Sequence, residues 1–163
     1  MNSNLLQVFQ EKIHSFFKSK RINHALISDS ALNTVKILKE NNYDAFIVGG
    51  AIRDILMGYK PKDFDIATNA TPEQVRLIFK KSRIIGRRFR LVHVIYGREI
   101  IEVSTFRAKP LQKIQMSNGV LKDNEYGSIE EDAERRDFTI NALYYDVENK
   151  NLIDFYGGLR DIQ

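Results

Sequence analysis

The chain has 163 residues, a formal net charge of +4 at pH 7 and no cysteine. This length predicts one domain with at most an appendage, and ten Phe and seven Tyr exclude a disordered polypeptide. The lack of cysteine excludes a disulfide-linked partner, a thiolate zinc site and a cysteine nucleophile. No apolar run approaches the roughly 20 residues of a membrane helix, and the N-terminus shows no secretory signal. We therefore expect a cytoplasmic protein with no membrane partner.

The N-terminal part of the chain is predicted to be helical. Apolar residues near helical spacing predict a helix over residues 4–18, within a helical extension that comprises residues 1–28. A second helix is expected over Ala31–Asn41, with Asp29 or Ser30 as its N-cap. The main domain is accordingly expected to comprise residues 29–163.

Short strands and helices alternate in the middle of the chain. Ala45–Val48 is an apolar run that ends in two glycines, which predicts a buried strand and a tight turn. A short helix is expected over Ala51–Met57, and the alternation in Asp63–Ala67 is typical of a strand. Thr71 and Pro72 are expected to begin the next helix as its N-cap and first residue.

The C-terminal half is predicted to contain mostly strands. Gly97-Arg98 fits a hairpin turn, and residues 107–128 have the composition of a long loop. The expected elements are strands at 84–85, 91–96 and 99–106, a helix at 129–137, and a hairpin of 139–147 with 152–155. The whole pattern predicts an α+β domain, a small mixed sheet flanked by helices.

The Gly49-Gly50 turn is the first candidate for chemistry. Glycines let the backbone approach a ligand, and the N–H groups at a helix start favour phosphate. Arg53 adds a fork of donors suited to phosphate oxygens. The alternative interpretation is a tight turn followed by an exposed arginine.

Asp63 and Asp65 are the second candidate. Carboxylates at positions i and i+2 share one strand face, about 6–7 Å apart, and repel each other unless a cation neutralises them. Mg²⁺ prefers a few carboxylate oxygens together with substrate phosphates, and two-metal phosphoryl transfer uses such carboxylates. A solvated strand face is the alternative. Glu102 is expected either to add a third carboxylate beside the pair or to pair with Arg107.

Two charged segments complete the candidates. The run 130–139 is typical of a solvated helix with a Glu131–Arg135 pair, or it brings Arg136 to a polyphosphate with Asp137 in support. The basic segment 83–90 has two interpretations. It contacts nucleic acid or triphosphate, or it is a solvated loop. His93 is expected to be a packed histidine in an apolar strand.

Four motifs carry a family resemblance. They are AFIVGGAIRD from residue 45, KDFDIATNATPE from residue 62, IEVSTFR from residue 101 and RRDFTINAL from residue 135. In this order they resemble the head domain of bacterial poly(A) polymerases and tRNA nucleotidyltransferases, the class II family of the polymerase-β-like superfamily. The resemblance covers residues 30–163. GRRFRLVHV from residue 86 and GSIEED from residue 127 are more similar to the poly(A) polymerase branch than to the CCA-adding branch.

The resemblance implies a polymerase-β-like fold and a set of roles. Asp63 and Asp65 would bind catalytic Mg²⁺, and Asp137 would complete the catalytic set. Gly50, Arg53 and Arg136 would contact the nucleotide. The implied reaction is template-independent transfer of AMP from ATP to RNA 3′ ends by two metals, so ATP and the RNA 3′ end are the expected partners.

Two other functions remain open at this point. One is CCA addition to tRNA, and the other is a non-enzymatic module that binds nucleotide or RNA. Family members continue into neck, body and tail domains, which do not follow the Gly157-Gly158 segment here. The chain is therefore expected to be a head fragment with weak or no polymerase activity of its own.

Overall fold

A computed structural model of the chain describes residues 22–109 and 126–162, together with the backbone of residues 116–117 and 120–121. The helix expected over residues 4–18 lies outside the described residues. Within the described ranges, no helix is long and apolar enough to cross a membrane.

Helices and strands alternate along the described chain. The α-helices are α1 (Asp29–Glu40), α2 (Gly50–Leu56), α3 (Pro72–Ile78), α4 (Ile129–Glu134) and α5 (Gly158–Asp161). Two 3₁₀ helices lie at His24–Leu26 and Thr139–Asn141. The strands are β1 (Ala45–Val48), β2 (Phe64–Thr68), β3 (Ser82–Ile85), β4 (Leu91–Tyr96), β5 (Glu99–Thr105), β6 (Met116–Ser117), β7 (Val120–Leu121), β8 (Leu143–Asp146) and β9 (Asn151–Asp154).

Seven of these strands form one mixed sheet in the order β3-β4-β5-β2-β1-β8-β9. β2 and β5 run parallel, whereas the other neighbouring pairs are antiparallel. The two-residue turn Gly97-Arg98 joins β4 to β5, as predicted. The predicted small mixed sheet flanked by helices is therefore confirmed.

The alternation of side chains gives the sheet two different faces. On one face the main core packs apolar strand residues such as Ile47, Ile66 and Val103 against Leu38 of α1 and Ile52 of α2. A smaller apolar cluster lies on the other face, formed by Val48, Ala67, Phe106, Ala133, Ala142 and Tyr144. Because successive strand residues point to opposite faces, the polar neighbours of Ile66 and Val103 lie on the second face.

The helix α1 begins at Asp29, which is earlier than predicted. Ser28, and not Asp29 or Ser30, is the N-cap of α1, and its hydroxyl accepts a hydrogen bond from the amide of Ala31 at 3.2 Å. Asp29 is instead the first helical residue, where a negative charge favours the positive end of the helix dipole. The cap predicted at Thr71 is confirmed, since its hydroxyl and the Gln74 side chain form a reciprocal capping box.

The C-terminal region differs more from prediction. The strand expected from residue 139 begins only at Leu143, because Thr139–Asn141 forms a 3₁₀ turn. The start of α5 packs directly on this turn, and a Cβ on Gly158 would lie 2.2 Å from the carbonyl oxygen of Thr139. The predicted helix over 129–137 ends at Glu134, and the segment predicted as a loop contains the antiparallel pair β6 and β7.

Candidate active site

The register of the sheet gathers ionisable side chains on the second face. Asp65 of β2 lies opposite Glu102 of β5, and Glu102 lies opposite His93 of β4. On the other side of Asp65 the row continues with Val48 of β1 and Tyr144 of β8. Neighbouring strands are about 4.8 Å apart, so the two carboxylates are immediate neighbours across the sheet.

Asp65 is the most strongly perturbed carboxyl group of this row. Burial and, next in size, the negative charge of Glu102 raise its pKa from the ordinary value of 3.8 to about 6. The guanidinium of Arg136 acts in the opposite direction, while Asp63 adds a smaller upward contribution. The site therefore concentrates negative charge that a bound cation would relieve.

Asp63 lies immediately before β2 and is exposed. The strand expected from Asp63 begins at Phe64, so Asp63 lies one residue outside it. Among the described residues, no three His, Cys, Asp or Glu side chains form a group that would hold a metal by themselves. Two hard carboxylate donors at a crowded negative site suit Mg²⁺, which takes substrate phosphate oxygens as its remaining ligands.

Glu102 contacts His93 and not Arg107. The Nε2 atom of His93, which was expected to be a packed histidine, lies 3.5 Å from Oε2 of Glu102, and about a third of its side chain is exposed. Arg107 is engaged elsewhere: its guanidinium lies over the Phe89 ring at 5.2 Å. The structure thus supports the predicted place of Glu102 beside the Asp pair.

The Gly49-Gly50 turn brings the backbone against this carboxylate. Gly49 has φ of +80° and ψ of −142°, a conformation open essentially only to glycine. A Cβ on Gly49 would lie 3.5 Å from Oδ2 of Asp65 and 3.8 Å from Nη1 of Arg136. The turn therefore lies where the carboxylate and a guanidinium converge.

Arg53 lies one turn into α2 and is held by two side chains. Its Nε and Nη2 atoms donate to Oδ1 of Asp54 at 3.0 and 2.8 Å, and Nη1 donates to Oδ1 of Asn141 at 3.0 Å. Three of its five N–H groups are used, which leaves two for a ligand. A Cβ on Gly50 would lie 3.4 Å from Nη2, so the absence of a side chain there keeps the guanidinium accessible.

Arg136 is held by a buried hydrogen-bonded triad. Its Nη2 donates to Oδ2 of Asp132 at 3.1 Å, and its Nε donates to the Tyr144 hydroxyl at 3.0 Å. That hydroxyl donates in turn to the same oxygen of Asp132 at 2.7 Å. Burial acts to lower the pKa of Arg136, but Tyr144 and Asp132 outweigh it and the net shift is upward. The guanidinium stays charged, with its Nη1 directed to Gly49.

Asp132 and Tyr144, which anchor Arg136, were not among the residues predicted for the site. Asp132 is only 2% exposed, although it lies in an acidic run that reads as a solvated helix. The i,i+4 spacing of Asp132 and Arg136 could have indicated this pair, because it places both residues on one side of the helix turn. Glu131, expected to pair on the surface, accepts a hydrogen bond from the Ser128 amide in a capping box instead.

Asp137 is placed differently from the other candidates. It follows α4, is exposed, and makes no hydrogen bond or ion pair to any residue that the structure describes. The charges that most affect the pKa of Asp65 are those of Glu102, Arg136 and Asp63. The structure thus brings Asp65 and Arg136 together at Gly49, with Glu102 as the carboxylate opposite Asp65 and Asp63 as a further charge that acts on it.

Known proteins share this sequence and fold. Residues 45–163 match the family described as the poly A polymerase head domain. Poly(A) polymerase I of Haemophilus influenzae is 52% identical over 144 residues, which cover 83% of this chain and 32% of that protein. The chain thus spans about a third of the length of this curated relative.

Solved structures show the same architecture. The CCA-adding enzyme of Bacillus stearothermophilus in complex with CTP matches with a TM-score of 0.66 and 40% identity, over 81% of this chain and 30% of that one. A tRNA nucleotidyltransferase complexed with a primer tRNA and an incoming ATP analog matches with a TM-score of 0.60 and 31% identity, over 79% of this chain and 36% of that one. The fold is therefore the polymerase-β-like nucleotidyltransferase fold. The chain belongs to the poly A polymerase head domain family.

Proposed function

We propose that this domain is the catalytic head of an enzyme that transfers AMP from ATP to RNA 3′ ends without a template. The observation that carries the proposal is the convergence of Asp65 and Arg136 on the Gly49 backbone, at 3.5 and 3.8 Å from its Cβ position. A carboxylate for a cation and a guanidinium for phosphate thus border the same space. The family membership of the chain supports the same assignment.

The triphosphate would be bound by groups that are already oriented. Arg53 is fixed by Asp54 and Asn141, and Arg136 by Asp132 and Tyr144. Both guanidinium groups retain unused N–H donors, so no reorganisation precedes phosphate binding. Gly50 leaves room beside Arg53 for a phosphate oxygen. These donors would stabilise the charge that develops on the phosphate oxygens during transfer.

Asp63 and Asp65 are proposed to hold Mg²⁺, with Asp137 completing the catalytic set and Glu102 as the second candidate for the third carboxylate. Bound Mg²⁺ would supply activation of the RNA 3′-hydroxyl and stabilisation of the leaving pyrophosphate. The raised pKa of Asp65, about 6, still leaves its carboxylate mostly ionised at neutral pH. Asp65 is then able to bind the cation without first losing a proton.

The main domain is proposed to comprise residues 29–163. Ala31, Val35 and Leu38 of α1 are buried in the main core, which ties this helix to the sheet. Ile27 also reaches that core, so the end of the proposed extension, residues 1–28, packs against the domain.

The second candidate function is CCA addition to tRNA. It is favoured by the solved relative that is a CCA-adding enzyme in complex with CTP. That protein is 40% identical, against 52% for the poly(A) polymerase of Haemophilus influenzae. The higher identity supports ATP as the nucleotide and adenylyl transfer as the reaction.

The test is a single-turnover assay in which the chain, in excess, is incubated with an RNA oligonucleotide, Mg²⁺ and labelled ATP or CTP. We expect slow extension with ATP that disappears in Asp63→Asn/Asp65→Asn. Extension of a trimmed tRNA by CTP in preference to ATP would favour CCA addition instead. Binding of Mg²⁺–ATP without any extension, also in a chain lengthened to the size of its relatives, would favour the non-enzymatic alternative.

A further inference from the structure

Positive charge is concentrated in one part of the sequence. Residues 74–98 contain eight Lys or Arg and no Asp or Glu. The rest of the chain, with 17 basic and 21 acidic residues, has a net charge of −4, so the total of +4 arises in this segment alone. A mild overall charge thus conceals a strongly basic region on an otherwise acidic domain.

The fold places this charge on one edge of the sheet. β3 is the edge strand, and β4 lies beside it. We define the basic edge as Lys80, Lys81, Arg83, Arg87, Arg88 and Arg98, which are all exposed. None of these six forms an ion pair with a carboxylate among the residues that the structure describes. Arg90, by contrast, is paired with Glu73.

The basic edge is continuous with the candidate active site. Arg83 lies opposite His93 in the register of β3 and β4, and His93 lies opposite Glu102. Arg83 therefore occupies the same row, on the same face, as Asp65. Three strand spacings separate the two residues, which is about 14 Å.

An aromatic ring lies among the arginines at one end of the edge. Phe89 is 41% exposed, and the guanidinium groups of Arg88 and Arg107 lie 5.1 and 5.2 Å from its ring centroid. The turn that presents the ring depends on Gly86, which has φ of +88° and where a Cβ would lie 2.1 Å from the Phe89 carbonyl oxygen. The ring and its cations are thus presented on a fixed turn.

We propose that the basic edge binds the RNA strand upstream of its 3′ end, with Arg83, Arg87 and Arg88 on phosphates and Phe89 against a base. This inference rests on the proposed function, since it takes the RNA 3′ end to be at Asp65. The distance of about 14 Å between Arg83 and Asp65 keeps the edge apart from the site at which the 3′ end reacts. Unpaired cations spread along an edge beside an exposed ring are typical of a surface that follows a single-stranded backbone.

The experiment measures binding of a fluorescent single-stranded oligoadenylate RNA by anisotropy, from 50 to 200 mM salt. The test variant is Arg83→Gln/Arg87→Gln/Arg88→Gln. The matched control is Lys36→Gln/Lys150→Gln/Arg160→Gln, which removes the same charge from exposed cations outside the edge. Each variant is also titrated with Mg²⁺–ATP.

We expect the test variant to lose about tenfold or more in RNA affinity at low salt. The slope of log affinity against log salt should fall by about 2, since three phosphate contacts each contribute about 0.7. The control should keep the wild-type slope. Phe89→Leu should weaken binding about fivefold or more with the slope unchanged, because stacking does not release counterions.

Three results would overturn the proposal. The first is an equal loss of slope in the test and control variants, and the second is no RNA binding by the wild type at 50 mM salt. The third is a test variant that keeps its RNA slope but binds Mg²⁺–ATP more weakly, which would assign the edge to the nucleotide. Failure of the wild type to bind Mg²⁺–ATP, with the RNA results as expected, would instead contradict the proposed function and leave the RNA surface in place.

Discussion

Asp65 and Glu102 lie directly opposite each other in the parallel register of β2 and β5, on the face of the sheet that α1 does not cover. This register places the two carboxylates side by side, about 4.8 Å apart across neighbouring strands. Burial of Asp65 and the charge of Glu102 together raise the Asp65 pKa to about 6. This crowding gives the site a measurable dependence on pH.

The stability of the fold should reveal the raised pKa of Asp65. Its value is about 6 in the folded protein, against 3.8 for an ordinary Asp. The contribution of this shift is fully present below pH 3.8 and is lost as the pH rises through 6. Relative to wild type, Asp65→Asn should therefore gain about 2–3 kcal/mol in the free energy of unfolding between pH 4 and pH 8. Urea unfolding in EDTA measures this, and an equal difference at both pH values would contradict it.

Glu102 and Asp137 should affect Asp65 differently. Removal of the Glu102 charge takes away a cause of the raised pKa, whereas Asp137 is not among the main charges that act on Asp65. Glu102→Gln should lower the pKa of Asp65, and Asp137→Asn should leave it unchanged. Carboxyl ¹³C NMR titration of the two variants measures this. Equal shifts in both would show that Asp137 lies in the carboxylate cluster.

The hydroxyl of Tyr144 should matter for nucleotide binding as well as for stability. Tyr144→Phe removes the hydrogen bonds to Asp132 and Arg136, at a cost of about 1–3 kcal/mol in unfolding free energy. Because Arg136 loses one of its anchors, the affinity for Mg²⁺–ATP should fall severalfold. Isothermal titration together with urea unfolding measures both effects.

Tyr145 provides the matched control. Its hydroxyl is hydrogen-bonded to Nε2 of His24 at 2.5 Å, on the opposite face of the sheet. Tyr145→Phe should therefore destabilise the fold and keep the wild-type affinity for Mg²⁺–ATP. A similar loss of affinity in both variants would mean that stability alone, and not the anchoring of Arg136, controls nucleotide binding.

Substitution of Gly49 should reduce nucleotide affinity as well as stability, whereas substitution of Gly58 should reduce stability alone. Gly49→Ala should cost about 1–3 kcal/mol because of its backbone conformation, and it should also reduce Mg²⁺–ATP affinity, because the Cβ reaches the space between Asp65 and Arg136. Gly58 has a similar φ of +83° with nothing within 4 Å of its Cβ position. Gly58→Ala should lose stability without loss of nucleotide affinity, and a loss in both would contradict the role given to Gly49.

Local patterns in the sequence were sufficient for the strands that position the site. The alternation in Asp63–Ala67 predicted the strand that carries Asp65, which the structure has at Phe64–Thr68, and the apolar run Ala45–Val48 predicted a buried strand before the Gly-Gly turn. These features depend on neighbours in sequence. The motif resemblance added the grouping of distant residues, which spacing alone does not give.

The features that were not predicted depend on contacts distant in sequence. Asp132 is buried because Tyr144 and the amide of Arg107 reach its carboxylate from other elements. The strand expected at residue 139 is a 3₁₀ turn because α5 packs on it, some 19 residues later in the chain. The local hydrophobic pattern indicates neither contact. For this reason the acidic run was predicted to be a solvated helix, and a strand was predicted at residue 139.

The most direct test of the central claim is an isothermal titration of Mg²⁺ with a non-hydrolysable ATP analogue into wild type and Asp63→Asn/Asp65→Asn. The control Glu40→Gln/Glu148→Gln removes the same charge from exposed residues outside the site. We expect wild type and control to bind alike, and the double Asp variant to lose at least tenfold in affinity. Equal affinity in all three proteins would contradict the assignment of Asp63 and Asp65 as the metal-binding carboxylates of a nucleotidyltransferase.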